Sequence, residues 1–408
     1  MAAIHPFRAL RPTPASAPRV AAVPYDVVNA QEAHALAAGN PLSFLHVSRA
    51  EIDLPPDVDP YSEVVYRKAV ENFAALKTQA PLVIEEVPSL YVYRLKMGNH
   101  VQTGVAGSFS IDEYDRDVIK KHERTRPDKE DDRTRHMIGL RAQTGPVFLT
   151  YRATHGVDAV VERTTGQAPL FDFTAPDGVQ HTIWRIDGDL VEDLVTAFGR
   201  IPALYIADGH HRAASAARAR QQLRGAKGGS GEPGEWDTVL AVAFPDNQMQ
   251  ILPYNRVVKD LGSDTPSSLL VKLQREFTVK RGPATPARRG EVAMFLDGHW
   301  HTIVLGEAPH GLEAADRLDV SRLQDGVLTP MLHVGDVRTD KRIDFVGGAR
   351  GTSALEKLVT SGRAAVAFSM YPVSVEDLMQ ISDAGGIMPP KSTWFEPKLR
   401  DGLLIHVI

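Results

Sequence analysis

Leu204-Tyr205-Ile206-Ala207-Asp208-Gly209-His210-His211-Arg212-Ala213-Ala214 is the stretch on which the reading of the fold turns. Four apolar residues read as a short buried strand, and the Ala/Arg-rich run from Ala213 to Leu223 reads as a helix. A strand passing through glycine into a helix places the chain among α+β or mixed α/β proteins. The same turn carries chemistry. Backbone N–H groups at a helix N-terminus attract anions, and Gly209 lets a ligand approach the main chain closely. Arg212 offers a bidentate phosphate clamp. His210 and His211 can donate to phosphate oxygens or shuttle a proton. Asp208 can accept a hydroxyl proton or hold a divalent cation such as Mg2+. The plainer alternative is a helix cap by Asp208 beside two incidental histidines.

Working outward, Val20 to Val23 and Ser43 to Val47 read as strands, and Ala30 to Ala38 and Tyr61 to Leu76 as helices. Tyr91 to Leu95 and Val105 to Phe109 alternate as paired strands, and Pro146 to Tyr151 reads as a buried strand. Asp112 to Arg141 reads as helix, loop and helix. Gly225 to Glu235 is a Gly-rich loop. Val239 to Phe244 and Met249 to Leu252 are expected to pair. From Leu261 the pattern changes to helix, strand, strand, helix: Pro266 to Phe277, Val292 to Leu296, Thr302 to Leu305, Val320 to Leu328. Ala364 to Met370 then reads as a strand and Val375 to Ala384 as a helix.

A chain of 408 residues is too long for one ordinary core. The expected organisation is a core over 1–260 carrying the phosphate-binding turn, and an inserted or appended subdomain with a mixed sheet over 261–345. A C-terminal segment, 346–408, is expected to pack back on the core and complete the site. Hydrophobic residues at 43% and charged residues at 24% are those of an ordinary globular protein. A net charge of −5 argues against coating nucleic acid, which rewards a basic excess. The chain has no cysteine, which removes disulfides, thiolate zinc sites and cysteine nucleophiles together. No apolar run is long enough to span a bilayer and the N-terminus lacks a signal pattern, so a cytoplasmic location is expected.

Three further constellations are candidates. Lys120 to His136 is densely charged and places His122, Glu123, Arg126 and the Asp131-Asp132 pair near one another in sequence. It reads either as a solvated helix pair or as a source of acid/base and phosphate-binding groups. Pro389-Pro390-Lys391-Ser392-Thr393 lacks the Gly-x-x-x-x-Gly of a P-loop, yet Lys391, Ser392, Thr393 and Lys398 can place cations and hydroxyls on a phosphate. Pro24-Tyr25-Asp26 puts a carboxylate just after a strand, as a base or as a turn former. Asp297-Gly298-His299 echoes the central motif but reads as a hairpin turn.

Asp-Gly-His-His-Arg after a strand and before a helix resembles the phosphate-binding box of the ParB/sulfiredoxin superfamily, which includes free-serine kinases. The whole chain resembles domain-of-unknown-function family 1015. The resembling stretches are Arg8 to Pro12, Pro24 to Val28, Asn40 to Val47, Lys121-His122-Glu123 to Arg133, the central box, and Pro390 to Lys398. The resemblance implies a ParB/sulfiredoxin-like core. Sulfinic acid reduction is excluded, because His210 stands in the neighbourhood of the sulfiredoxin cysteine. By position, Asp26 matches the catalytic carboxylate of the serine kinases.

The resemblance and the residues together give one expectation. It is a phosphotransferase acting on a small hydroxyl metabolite such as serine, with ATP or ADP as nucleotide and Mg2+ at Asp208. Asp26, Asp208, His210, His211 and Glu123 would be catalytic. Gly209, Arg212, His122, Arg126, Lys391, Ser392, Thr393 and Lys398 would bind phosphate. Two alternatives stay open: a phosphoserine phosphatase, with His210 phosphorylated, and a nucleotide-binding regulatory protein. The expected partners are a small molecule and a nucleotide, with neither nucleic acid nor membrane, and a homodimer is left open.

Overall fold

The computed structural model describes residues 1–226 and 233–408. The chain divides into two compact units, residues 1–249 with 397–408, and residues 250–396. The expected boundaries after residues 260 and 345 do not coincide with this division, because 250–260 and 346–396 build a sheet together.

A mixed nine-stranded sheet organises the first unit. Eight of its strands run in the order Ile119–Lys120, Leu204–Asp208, Val147–Tyr151, Thr238–Pro245, His100–Ser110, Leu90–Met97, Gln180–Ile186, Phe171–Thr174. The ninth, Ile4–His5, also pairs with His100–Ser110. Leu204–Asp208 runs parallel to Ile119–Lys120 and antiparallel to Val147–Tyr151, so two loops emerge beside its C-terminal end. The expected pair around Tyr91 and Val105 forms one antiparallel ladder, with Tyr91 opposite Ala106. Its inward residues are Leu90, Val92, Val105 and Phe109. They join one apolar cluster with Ala213, Ala216, Ala217 and Leu223 of the helix His210–Ala226. That helix is held by burial of its alanine face against the sheet, which also fixes the direction of its N-terminus.

A four-stranded sheet in the same unit, Val83–Ile84, Ala9–Arg11, Ile405–Val407 and Ala142–Gln143, ties the two chain ends together. This is how residues 397–408 belong to the first unit.

The second unit is built on a six-stranded sheet, Thr278–Arg281, His299–Val304, Glu291–Leu296, Val366–Ser369, Tyr254–Val258, Ile343–Gly347. Every pairing in it is antiparallel. The hairpin at Asp297-Gly298 is as expected: Leu296 faces His299, and both central residues have positive φ, 48° and 75°. Helices Pro266–Glu276, Gly351–Thr360 and Val375–Asp383 belong to this unit.

Three expected elements differ. Ser43 to Val47 is not a strand; Leu45–Ser48 is a helical turn whose Leu45 and Val47 are buried. Val20 to Val23 is likewise not a strand: Ala17–Val20 is helical, and only Ala22 pairs, with Asp401. Met249 to Leu252 does not pair with Val239 to Phe244. Ile251–Leu252 pairs instead with Trp394–Phe395, while Thr238–Pro245 lies inside the large sheet. Of the Gly-rich loop, residues 227–232 lie outside the described residues. Among the described residues no helix is long and apolar enough to cross a membrane.

Candidate functional site

Gly209 makes the turn from strand to helix with φ 94°, a value L side chains rarely adopt. Its carbonyl accepts the N–H of Ala213 and so begins the helical ladder. The N–H groups of His210, His211 and Arg212 fall in the first turn, where a helix supplies no carbonyl of its own. A Cβ at Gly209 would stand 3.0 Å from Arg212 Cζ and Nε, because the guanidinium folds back under the turn.

Arg212 is buried and has carboxylates on two sides. Nη2 lies 3.5 Å from Asp208 Oδ2 and 3.7 Å from Asp26 Oδ2. Nη1 donates to the Pro146 carbonyl, while Nε and Nη2 make no hydrogen bond. Burial opposes its charge, but Asp26, Asp208 and Asp401 outweigh burial and raise its pKa further. Lys398 Nζ donates to Asp208 Oδ2 at 3.0 Å, and Asp208 Oδ1 accepts the Gly209 N–H at 2.9 Å. Burial works to raise the Asp208 pKa. Lys398 and then Arg212 override it and hold the carboxyl well below the usual range.

Asp208 Oδ2 is thus shared by Lys398 and Arg212, while Oδ1 accepts a main-chain N–H.

The loop after Ile119–Lys120 brings His122 and Glu123 to the same turn. The His122 and His210 rings meet edge to face, 4.4 Å between centroids. The His122 N–H donates to His210 Nε2 at 3.4 Å, and His210 Nδ1 faces Glu123 Oε2 at 4.0 Å. Burial lowers both imidazole pKa values, that of His122 to about 4, so both rings are neutral at pH 7. Arg126 contributes its main chain: its N–H donates to His211 Nε2 at 3.1 Å, while its side chain pairs with Asp128 at the surface.

Asp26, His122, Glu123, Arg126, Asp208, Gly209, His210, His211, Arg212 and Lys398 are thus gathered within the first unit. Lys391, Ser392 and Thr393 belong to the second. There the Lys391 ammonium lies over the Tyr254 ring at 5.5 Å, and Ser392 Oγ donates to the Pro389 carbonyl.

Asp401 is a site neighbour that sequence reasoning missed. Burial pushes its carboxyl up to about 7, against the pull of Arg212. It lines a cavity of about 40 Å³ with Tyr25, Ser48, Arg133 and Arg212. No local pattern marks it, since Arg400-Asp401-Gly402 reads as a turn.

The family model described as "Protein of unknown function (DUF1015)" matches residues 4–321. The chain belongs to the DUF1015 family. No curated protein matches this DUF1015 chain in sequence. Several solved structures are similar to it. A free serine kinase in complex with AMP has 15% identity and a TM-score of 0.35, covering 72% of this chain and 91% of that one. A conserved hypothetical protein from Pyrococcus furiosus has 17% identity and a TM-score of 0.35, covering 73% and 94%. SbnI with a C-terminal truncation, from Staphylococcus aureus, has 13% identity and a TM-score of 0.38, covering 72% and 85%. Likeness at this level assigns no activity to the DUF1015 chain.

Proposed function

We propose that the Asp208–Arg212 turn binds the phosphates of a nucleotide, ATP or ADP, and that the protein transfers a phosphoryl group to a small hydroxyl metabolite such as serine. One observation carries this reading. The turn at Gly209, which opens the helix, lies against the buried Arg212 guanidinium, whose Nε and Nη2 make no hydrogen bond although Nη2 is within ion-pair reach of Asp26 and Asp208. Helix terminus and guanidinium together form an anion cradle.

In the reaction, the bond between the terminal phosphorus and its bridging oxygen breaks, and the metabolite hydroxyl oxygen bonds to that phosphorus. The hydroxyl proton passes to Asp26, whose carboxylate is about one third exposed and flanks Arg212. Asp208 serves by holding Arg212 and Lys398 in place. Such transfers depend mostly on positioning and charge neutralisation, which buried cations supply. His210 suits a positioning role better than that of a phosphorylated nucleophile. It is buried, Nε2 accepts a main-chain N–H and Nδ1 faces Glu123.

Titration calorimetry with ADP and ATP tests the binding half of the proposal. The parent chain binds one nucleotide, and Arg212→Lys, which keeps the charge but loses the planar fork, binds at least about tenfold more weakly. A parent chain that binds neither nucleotide contradicts the reading.

A further inference from the structure

We infer that His122, His210 and Glu123 form a binding site for a divalent transition-metal ion of the Zn2+ class. One donor atom from each residue lies within 4.8 Å of the other two. A second observation points to a ligand. His122 is 2% exposed, and its Nδ1 is buried with no hydrogen-bond partner.

That nitrogen sits inside the protein with no hydrogen-bond partner, and an imidazole nitrogen is a common metal ligand. His210 is approached by the His122 N–H at 3.4 Å, a weak bond near the limit of the geometry, which a metal ion readily displaces. Glu123, about 38% exposed, supplies the third ligand from the solvent side.

Two imidazoles and one carboxylate are the donors of a borderline ion such as Zn2+. Mg2+ and Ca2+ favour all-oxygen sites. Three protein ligands leave a position open, as in sites that bind water or a substrate oxygen. Bonds of about 2.0–2.2 Å would draw the three donors closer together than they stand here. The site is distinct from Asp208, whose charge is already spent on Lys398 and Arg212.

The test is equilibrium dialysis of the full, chelator-treated chain against Zn2+ alone, with elemental analysis, repeated with Co2+ and visible absorption. The parent retains one ion per chain, and bound Co2+ shows the intense absorption of a low-coordinate site. Glu123→Gln keeps the shape of an exposed side chain and weakens retention at least about tenfold. His122→Asn abolishes the Co2+ spectrum, with circular dichroism confirming the fold. Failure of the parent to retain metal overturns the inference, as does equal retention by parent and Glu123→Gln. Metal retention is measured without turnover, so either result leaves the phosphoryl-transfer reading to its own test.

Discussion

Lys398 Nζ and Asp208 Oδ2 meet at 3.0 Å although 190 residues separate them. The contact ties the last stretch of the chain to the turn between strand and helix. With Arg212 it makes Asp208 an anchor for two cations. Lys398→Met should cost about 1–3 kcal/mol, more than a surface pair because Lys398 is nearly buried. A double-mutant cycle with Asp208→Asn, read by urea unfolding, should show coupling of similar size. Additive effects would mean that the pair anchors nothing.

Gly209→Ala should destabilise by about 1–3 kcal/mol, because φ 94° is unfavourable for alanine and the new Cβ presses on Arg212. Nucleotide affinity should fall with it, since the guanidinium must move. The variant's unfolding midpoint and its ADP titration check both parts.

Arg212→Ala should not leave the fold intact. Asp26, Asp208 and the buried Asp401 all face the guanidinium, and its removal leaves them poorly compensated. A loss of about 3–5 kcal/mol is expected. Thermal unfolding that matches the parent would show that the arginine is not structural.

How much of this was legible in the sequence depends on how local the information was. The strand, turn and helix around Gly209 could be read because apolar run, glycine and alanine face lie side by side. The hairpin at Asp297-Gly298 was legible for the same reason. Ser43 to Val47 misled because a short apolar run has no period long enough to separate strand from helical turn. Its Phe44 N–H bonds to Val20, whose own position depends on tertiary packing. The pairing of Ile251–Leu252 with Trp394–Phe395 spans over a hundred residues, and no local signal records it. Asp401 was invisible because its importance comes from the cavity it lines with Arg212, far from it in sequence.

Stability should depend on pH through Asp401. Its carboxyl is raised from 3.8 to about 7, so between those values the folded chain keeps a proton that the unfolded chain has lost. Stability from this group therefore falls as pH rises across that window, by up to about 4 kcal/mol above pH 7. Asp401→Asn avoids the cost. Relative to the parent it should gain stability between pH 4 and pH 8 in urea titrations. A difference that does not change with pH would contradict the assignment.

Phosphorus NMR of the purified chain with ATP or ADP and serine, supplemented with divalent metal, tests the central claim most directly. The account predicts a new phosphomonoester resonance growing as a nucleotide phosphate disappears, in the parent chain and not in Asp26→Asn. A nucleotide left unchanged beside every small hydroxyl acceptor tried, or free phosphate released from phosphoserine with no nucleotide present, would contradict it.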